Sequence, residues 1–126
     1  MRILALYDIH GNPDALEAVL GDPRAADPDA VLIGGDVVPG AFCAAVLDRL
    51  GALRGPVHWV RGNGEREVAA AIGGAPPAAG DDAAQMAAFT ADELGPARAR
   101  PLGDLPLTVM LDGVLFCHAT PRSDDE

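Results

Sequence analysis

The 126-residue chain carries 19 acidic against 9 basic side chains, a formal net charge of −10, and is 49 % apolar. That length and apolar share suit one domain with a real core, filled mainly by Ala, Val and Leu because aromatics supply only 4 %. The negative charge excludes nucleic-acid binding through a basic patch, and no apolar run approaches the ~20 residues that span a bilayer.

The apolar run Arg2 to Tyr7, closed by Asp8 and Gly11, predicts a buried strand. It ends too early, and lacks a cleavage region, to read as a signal peptide. Asn12-Pro13 starts a helix, with Asn12 as cap and Pro13 in the first turn. Leu16, Val19 and Leu20 mark one face, and Gly21-Asp22-Pro23 ends it. Ala30 to Ile33 is a second buried strand, stopped by Gly34-Gly35-Asp36. Phe42, Val46, Leu50 and Leu53 recur at helical spacing, predicting a helix over Ala41 to Leu53 that Gly55-Pro56 breaks. Val57 to Val60 is a third strand, stopped by Gly62-Asn63, and a helix follows from Glu65 to Ile72. Gly73 to Gly80 contains Pro76-Pro77 and reads as a loop. Asp81 or Asp82 caps a further helix, with Met86, Phe89 and Leu94 expected on its inner face. Gly95 to Pro106 reads as irregular. Leu107 to Leu111 and Val114 to Cys117 flank Asp112-Gly113, a two-residue hairpin signal. Cys43 and Cys117 are far apart and form no CxxC pair, so no disulfide framework is expected. A cytoplasmic location is the expectation.

The order βαβαβα, then a helix and a β-hairpin, predicts an α/β fold with a parallel core. In such sheets ligands bind beyond the carboxyl ends of the strands. Four polar segments fall at that edge: Asp8-Ile9-His10-Gly11-Asn12, Gly34-Gly35-Asp36, Arg61-Gly62-Asn63 and Cys117-His118-Ala119-Thr120.

Singly, each has an ordinary reading. Asp-x-His-Gly-Asn suits a capped turn, Gly-Gly-Asp a turn aspartate, Gly-Asn a turn pair, and a lone His a packed residue. Each also offers metal chemistry. Asp8 and His10, two apart in extended backbone, would point the same way and converge on one cation. The two oxygens of Asp36 can serve two cations. Asn63 offers a neutral amide oxygen, and His118 an imidazole at the end of the last strand. Four such segments along one sheet edge predict one metal site.

Asp8-Ile9-His10, Gly35-Asp36, Gly62-Asn63 and His118 resemble, in order, the first four blocks of the calcineurin-like metallophosphoesterase superfamily. The resemblance runs from Met1 to Glu126 and is strongest to the small bacterial phosphodiesterases and phosphatases. It implies a metallophosphoesterase-type α/β sandwich, with a βαβαβ core and the start of a second sheet. It also implies two divalent metal ions, of the Mn²⁺, Fe or Zn²⁺ kind. Asp8 and His10 would hold the first, Asp36 would bridge, and Asn63 and His118 would hold the second. Asp36, Asn63 and His118 would then also be catalytic residues. Water activated between the cations would attack the phosphorus of a small phosphomonoester or phosphodiester.

Two departures stand against the resemblance. Many relatives carry His directly after the Gly-Asn pair, where this chain has Gly64. The family's fifth block, Gly-His-x-His, has no counterpart after His118. The expectation is therefore a domain over residues 1–126 whose second sheet and ligand set are incomplete at the C-terminus. A second copy or another chain would complete the sheet, or the chain is a non-catalytic metal-binding remnant or interaction module. His58, flanked by Val57 and Trp59, reads as a packed residue. Cys117 is expected to face the core opposite His118, and Cys43 to lie in the core. Arg61 and Arg122 are expected to contact phosphate or to pair with Glu65 or Asp124. The tail Ser123-Asp124-Asp125-Glu126 is expected to fray.

Overall fold

The computed structural model describes residues 1–126. Three parallel strands, β1 (Ile3–Leu6), β2 (Ala30–Ile33) and β3 (Val57–Trp59), lie side by side in that order. Leu4 registers with Val31, and Ile33 with Trp59. The central β2 is buried at every residue, which is why it reads as an unbroken apolar run.

Five helices follow: α1 (Pro13–Leu20), α2 (Cys43–Gly51), α3 (Asn63–Ala71), α4 (Asp82–Leu94) and the short α5 (Pro96–Ala99). They cover one face of the sheet. There Leu6, Val31 and Ile33 meet Leu16, Val46, Leu50, Val68, Ala91 and Leu94 in the main core. The opposite face takes an antiparallel hairpin, β4 (Thr108–Leu111) and β5 (Val114–Cys117). A second cluster of Leu32, Val60 and Leu111 forms beneath it, with Ile3, Tyr7, Val109 and Phe116 packed around. Alternate residues of β2 thus feed two different cores, as the pleat dictates. Asp112 and Gly113 both have positive φ, 49° and 78°, as a two-residue type I′ hairpin turn requires. No helix is long and apolar enough to cross a membrane.

The helix caps read from sequence are in place. Asn12 Oδ1 accepts the Ala15 N–H at 3.0 Å, and Asp81 Oδ1 accepts that of Ala84 at 3.0 Å. Several boundaries differ. Phe42 is the residue before α2, not part of it, and its ring is exposed. α3 begins two residues earlier than expected, which puts Asn63 in its first turn. The stretch expected to be irregular contains α5 and a 3₁₀ turn over Arg100–Asp104.

The inner face of α4 is also corrected. Met86 and Phe89 are exposed, and Ala87, Thr90, Ala91 and Leu94 are buried instead. α4 lies against both α2 and α3. Small side chains allow that approach, and the Thr90 hydroxyl is tied to the Gly40 carbonyl at 3.3 Å. The larger side chains are turned outward.

The tail does not fray. Thr120 and Ser123 bridge each other. Asp124 is buried, accepting from Arg61 Nε at 2.8 Å and Arg66 Nε at 3.1 Å. Asp125 pairs with Arg66 at 3.1 Å. On the hairpin, Met110, Val114 and Leu115 present apolar side chains to solvent.

Candidate metal centre

Past the strand ends, the parallel ladder continues into the loops. Asp8 N–H donates to Gly35 O at 3.1 Å, His10 N–H to Asp36 O at 3.0 Å, and Gly11 N–H to Val37 O at 2.9 Å. The first two polar segments are therefore held to each other by backbone, as a strand pair would be.

The convergence of Asp8 and His10 has a different cause from the one expected. Neither residue is extended. Asp8 (φ 54°), His10 (φ 46°) and Asp36 (φ 54°) all lie in the left-handed region. Side-chain alternation along a strand does not apply there; two left-handed residues turn the chain so that both side chains face Asp36. One ligand atom from each of Asp8, His10 and Asp36 falls within a mutual 4.8 Å.

Asp36 is the centre of the arrangement. Its Oδ1 accepts the Gly64 N–H at 2.9 Å. Its Oδ2 lies 3.6 Å from His10 Nε2 and 3.6 Å from His118 Nε2. His10 Nε2 is also 3.9 Å from Asp8 Oδ1. The side chains of Asp36 and His118 are 10 % and 12 % exposed, those of Asp8 and His10 59 % and 47 %. The inner pair is thus shielded and the outer pair faces solvent.

The ring tautomers follow from their partners. His10 Nδ1 lies 3.1 Å from the Pro39 carbonyl, and His118 Nδ1 lies 2.9 Å from the Gly34 carbonyl. A carbonyl oxygen only accepts, so each Nδ1 carries a hydrogen, and Nε2 is the ring atom left to act as a metal ligand. Both Nε2 atoms face the same carboxylate oxygen. Carbonyl-oriented imidazoles of this kind are the usual support of metal-binding histidines. Nitrogen and carboxylate donors together fit a first-row divalent cation.

Asn63 is the first residue of α3, between Gly62 and Gly64. Its Nδ2 donates to Glu67 Oε1 at 3.2 Å, which leaves Oδ1 without a protein donor. His58 sits on β3 opposite Leu32, outside the cluster. Cys43 is fully buried in the main core, where burial pushes its thiol up to about 11. Cys117 departs from expectation. It lies outside both apolar clusters, because Phe116 and His118 take the sheet-facing side of the chain and Cys117 points away. Arg61 does not face the site: it donates to Gly103 O at 2.7 Å and to Asp124, not to Glu65. Arg122 is exposed.

Two residues were missed in the sequence. Glu65 was read as a surface partner for Arg61, yet it is fully buried. Its Oε2 accepts the N–H groups of Asp36 and Gly62, each at 2.8 Å, and its Oε1 those of Val37 at 2.8 Å and Val38 at 3.3 Å. Its position three after the helix cap is the capping-box spacing, and that was the available signal. Tyr7 is the other. Its ring lies over Gly34, where a Cβ would collide with it, and it stacks on His118 at 6.4 Å and 21°. Its hydroxyl donates to Cys117 O at 3.3 Å.

Gly64 has no room for a side chain. A Cβ there would overlap the Val38 carbonyl and lie 2.9 Å from the Pro39 ring. The space that a histidine would need is occupied by this chain's own backbone.

A family model for calcineurin-like phosphoesterases matches residues 1–121. Among solved structures, a metallophosphoesterase from Sphaerobacter thermophilus superposes with a TM-score of 0.72 and 28 % identity over 98 % of this chain. The chain spans 49 % of that protein's length. No curated protein matches it. The match along nearly the whole chain shows that this protein belongs to the calcineurin-like phosphoesterases, a family of hydrolases that use divalent metals.

Proposed function

We propose that the protein hydrolyses small phosphomonoesters or phosphodiesters with the help of two divalent cations, Mn²⁺ or otherwise Fe or Zn²⁺. Asp8 and His10 would hold the first, Asn63 and His118 the second, and Asp36 would serve both. On this reading residues 1–126 are the N-terminal portion of one phosphoesterase domain.

The observation that carries the reading is the pair of imidazoles locked by carbonyls, each aiming Nε2 at Asp36 Oδ2 from opposite blocks of sequence. When bound, the cations supply acidity to a water and neutralise charge on the phosphoryl oxygens. The chain's residues do the positioning. The Gly64 N–H fixes the Asp36 carboxylate rotamer and keeps one oxygen aimed into the centre. The free Asn63 Oδ1 adds an acceptor without charge. With no side chain at position 64, that position supplies no proton to a departing alkoxide, so esters with good leaving groups are favoured.

The test is hydrolysis of bis(p-nitrophenyl) phosphate and p-nitrophenyl phosphate with Mn²⁺, beside an Asp36→Asn variant. Turnover that disappears in Asp36→Asn supports the reading. A folded, metal-bound chain without turnover favours a second reading, a metal-binding remnant or interaction module. Its motivation is specific: the hairpin leaves apolar side chains in solvent. The exposed Met110, Val114 and Leu115 support association through the hairpin, with a second copy or another chain. Sedimentation of the same preparation would reveal it; a strict monomer would sink that part of the reading.

A further inference from the structure

Glu65 is the one carboxylate that is completely buried, and it makes no ion pair. All four of its partners are backbone N–H groups: Asp36, Val37, Val38 and Gly62. A deprotonated carboxylate accepts at every one of these contacts, whereas a protonated oxygen would set O–H against N–H. One oxygen, Oε2, accepts from Asp36 and from Gly62 together. It therefore ties the segment after β2 to the segment after β3.

That tie acts on a strained element. Asp36 adopts a left-handed backbone, which a residue with a side chain holds only when its surroundings impose it. The Glu65 carboxylate grips Asp36 and the next two amides. The neighbouring Gly64 N–H, on the same turn as Glu65, holds the Asp36 side chain. Backbone and side chain of Asp36 are thus both set from the first turn of α3.

We infer that Glu65 is a positioning residue for the proposed metal centre, acting through Asp36: its carboxylate ties the Asp36 turn to the Gly62-Asn63 turn and so holds Asp36 Oδ2 between His10 and His118. This inference rests on the proposed metal site. The isosteric Glu65→Gln removes the charge and turns an NH₂ group toward N–H donors. The shorter Glu65→Asp keeps the charge but cannot span both turns.

The test is isothermal titration of the 126-residue chain with Mn²⁺, comparing native protein, Glu65→Gln, Glu65→Asp and a core control, Val46→Ala. Both Glu65 variants are expected to bind Mn²⁺ about 10–100-fold more weakly. Val46→Ala, which lowers thermal stability without touching the loops, is expected to keep its affinity. Equal affinity in native protein and Glu65→Gln would overturn the inference while leaving the metal site standing. Equal loss in Val46→Ala would also overturn it, since general loosening would then suffice. A native chain that binds no Mn²⁺ would sink the metal site and this inference together. If neither Glu65 variant folds, hydrogen exchange of native protein decides. Amides 36, 37, 38 and 62 should exchange at least several-fold more slowly with Mn²⁺ bound, and unchanged rates would overturn the inference.

Discussion

Each atom that shapes the centre is set by a contact that leaves little freedom. Asp36 Oδ1 is taken by Gly64, so only Oδ2 is free to meet the two imidazoles. Each imidazole is turned by a carbonyl, and His118 is further backed by the Tyr7 ring. Gly64 is as constrained as the candidate ligands, through its lack of a side chain. Gly64→His, which on sequence grounds alone would supply a general acid, is expected to fail. A side chain at this position meets the Val38 carbonyl, so the variant should lose about 1–3 kcal/mol or more of stability and gain no turnover. Thermal unfolding and p-nitrophenyl phosphate kinetics of the same variant would check both halves. A stable variant with faster turnover would show that the Val38–Pro39 segment yields.

Elements were legible in the sequence wherever a single local rule governed them. The three strands, the Asn12 and Asp81 caps and the Asp112-Gly113 turn follow from runs, caps and turn chemistry, and they stand where expected. The grouping of the four polar segments was legible because strand ends share one edge. What sequence did not reveal depends on contacts between distant pieces. α4 turns its alanines inward because two helices press on it, a demand no periodicity encodes. The Asp8 and His10 side chains converge through left-handed backbone, which Gly11 suggests only for itself. The ordered tail has the same cause, since its acidic composition does not reveal the two arginines that meet it, Arg61 just past β3 and Arg66 on α3. Burial opposes charge on Asp124, but hydrogen bonds from Arg66 and Arg61 prevail and hold its carboxyl below the usual range. A folded value below the unfolded one stabilises the protein fully above about pH 4 and is lost as pH falls through the folded value. Asp124→Asn should therefore cost about 1–3 kcal/mol at neutral pH and show a shallower loss of stability on acidification. Urea midpoints for both proteins from about pH 6 to about pH 3 would measure it; parallel curves would remove Asp124 from the account.

At the scale of the whole molecule, charge pulls in two directions. The net charge of −10 attracts divalent cations and repels anionic phosphoesters. Salt screens both, with a screening length of about 8 Å at physiological strength. Raising sodium chloride is thus expected to weaken Mn²⁺ binding and, at saturating Mn²⁺, to lower KM for a phosphoester. Titration and kinetics over one salt series would test the opposite signs; a KM that rises with salt would mean that the loaded centre dominates the field the substrate meets. The left-handed backbone at Asp8 and His10 has a consequence of another kind. Each costs about 1–2 kcal/mol relative to a residue without a Cβ, and neither side chain is buried enough to return that through packing. A laboratory selection of this scaffold for heat tolerance alone, in metal-free medium, would enrich glycine at positions 8 and 10. It would arrive at a sturdier protein, with the proposed metal site erased by the same substitutions that improved the fold.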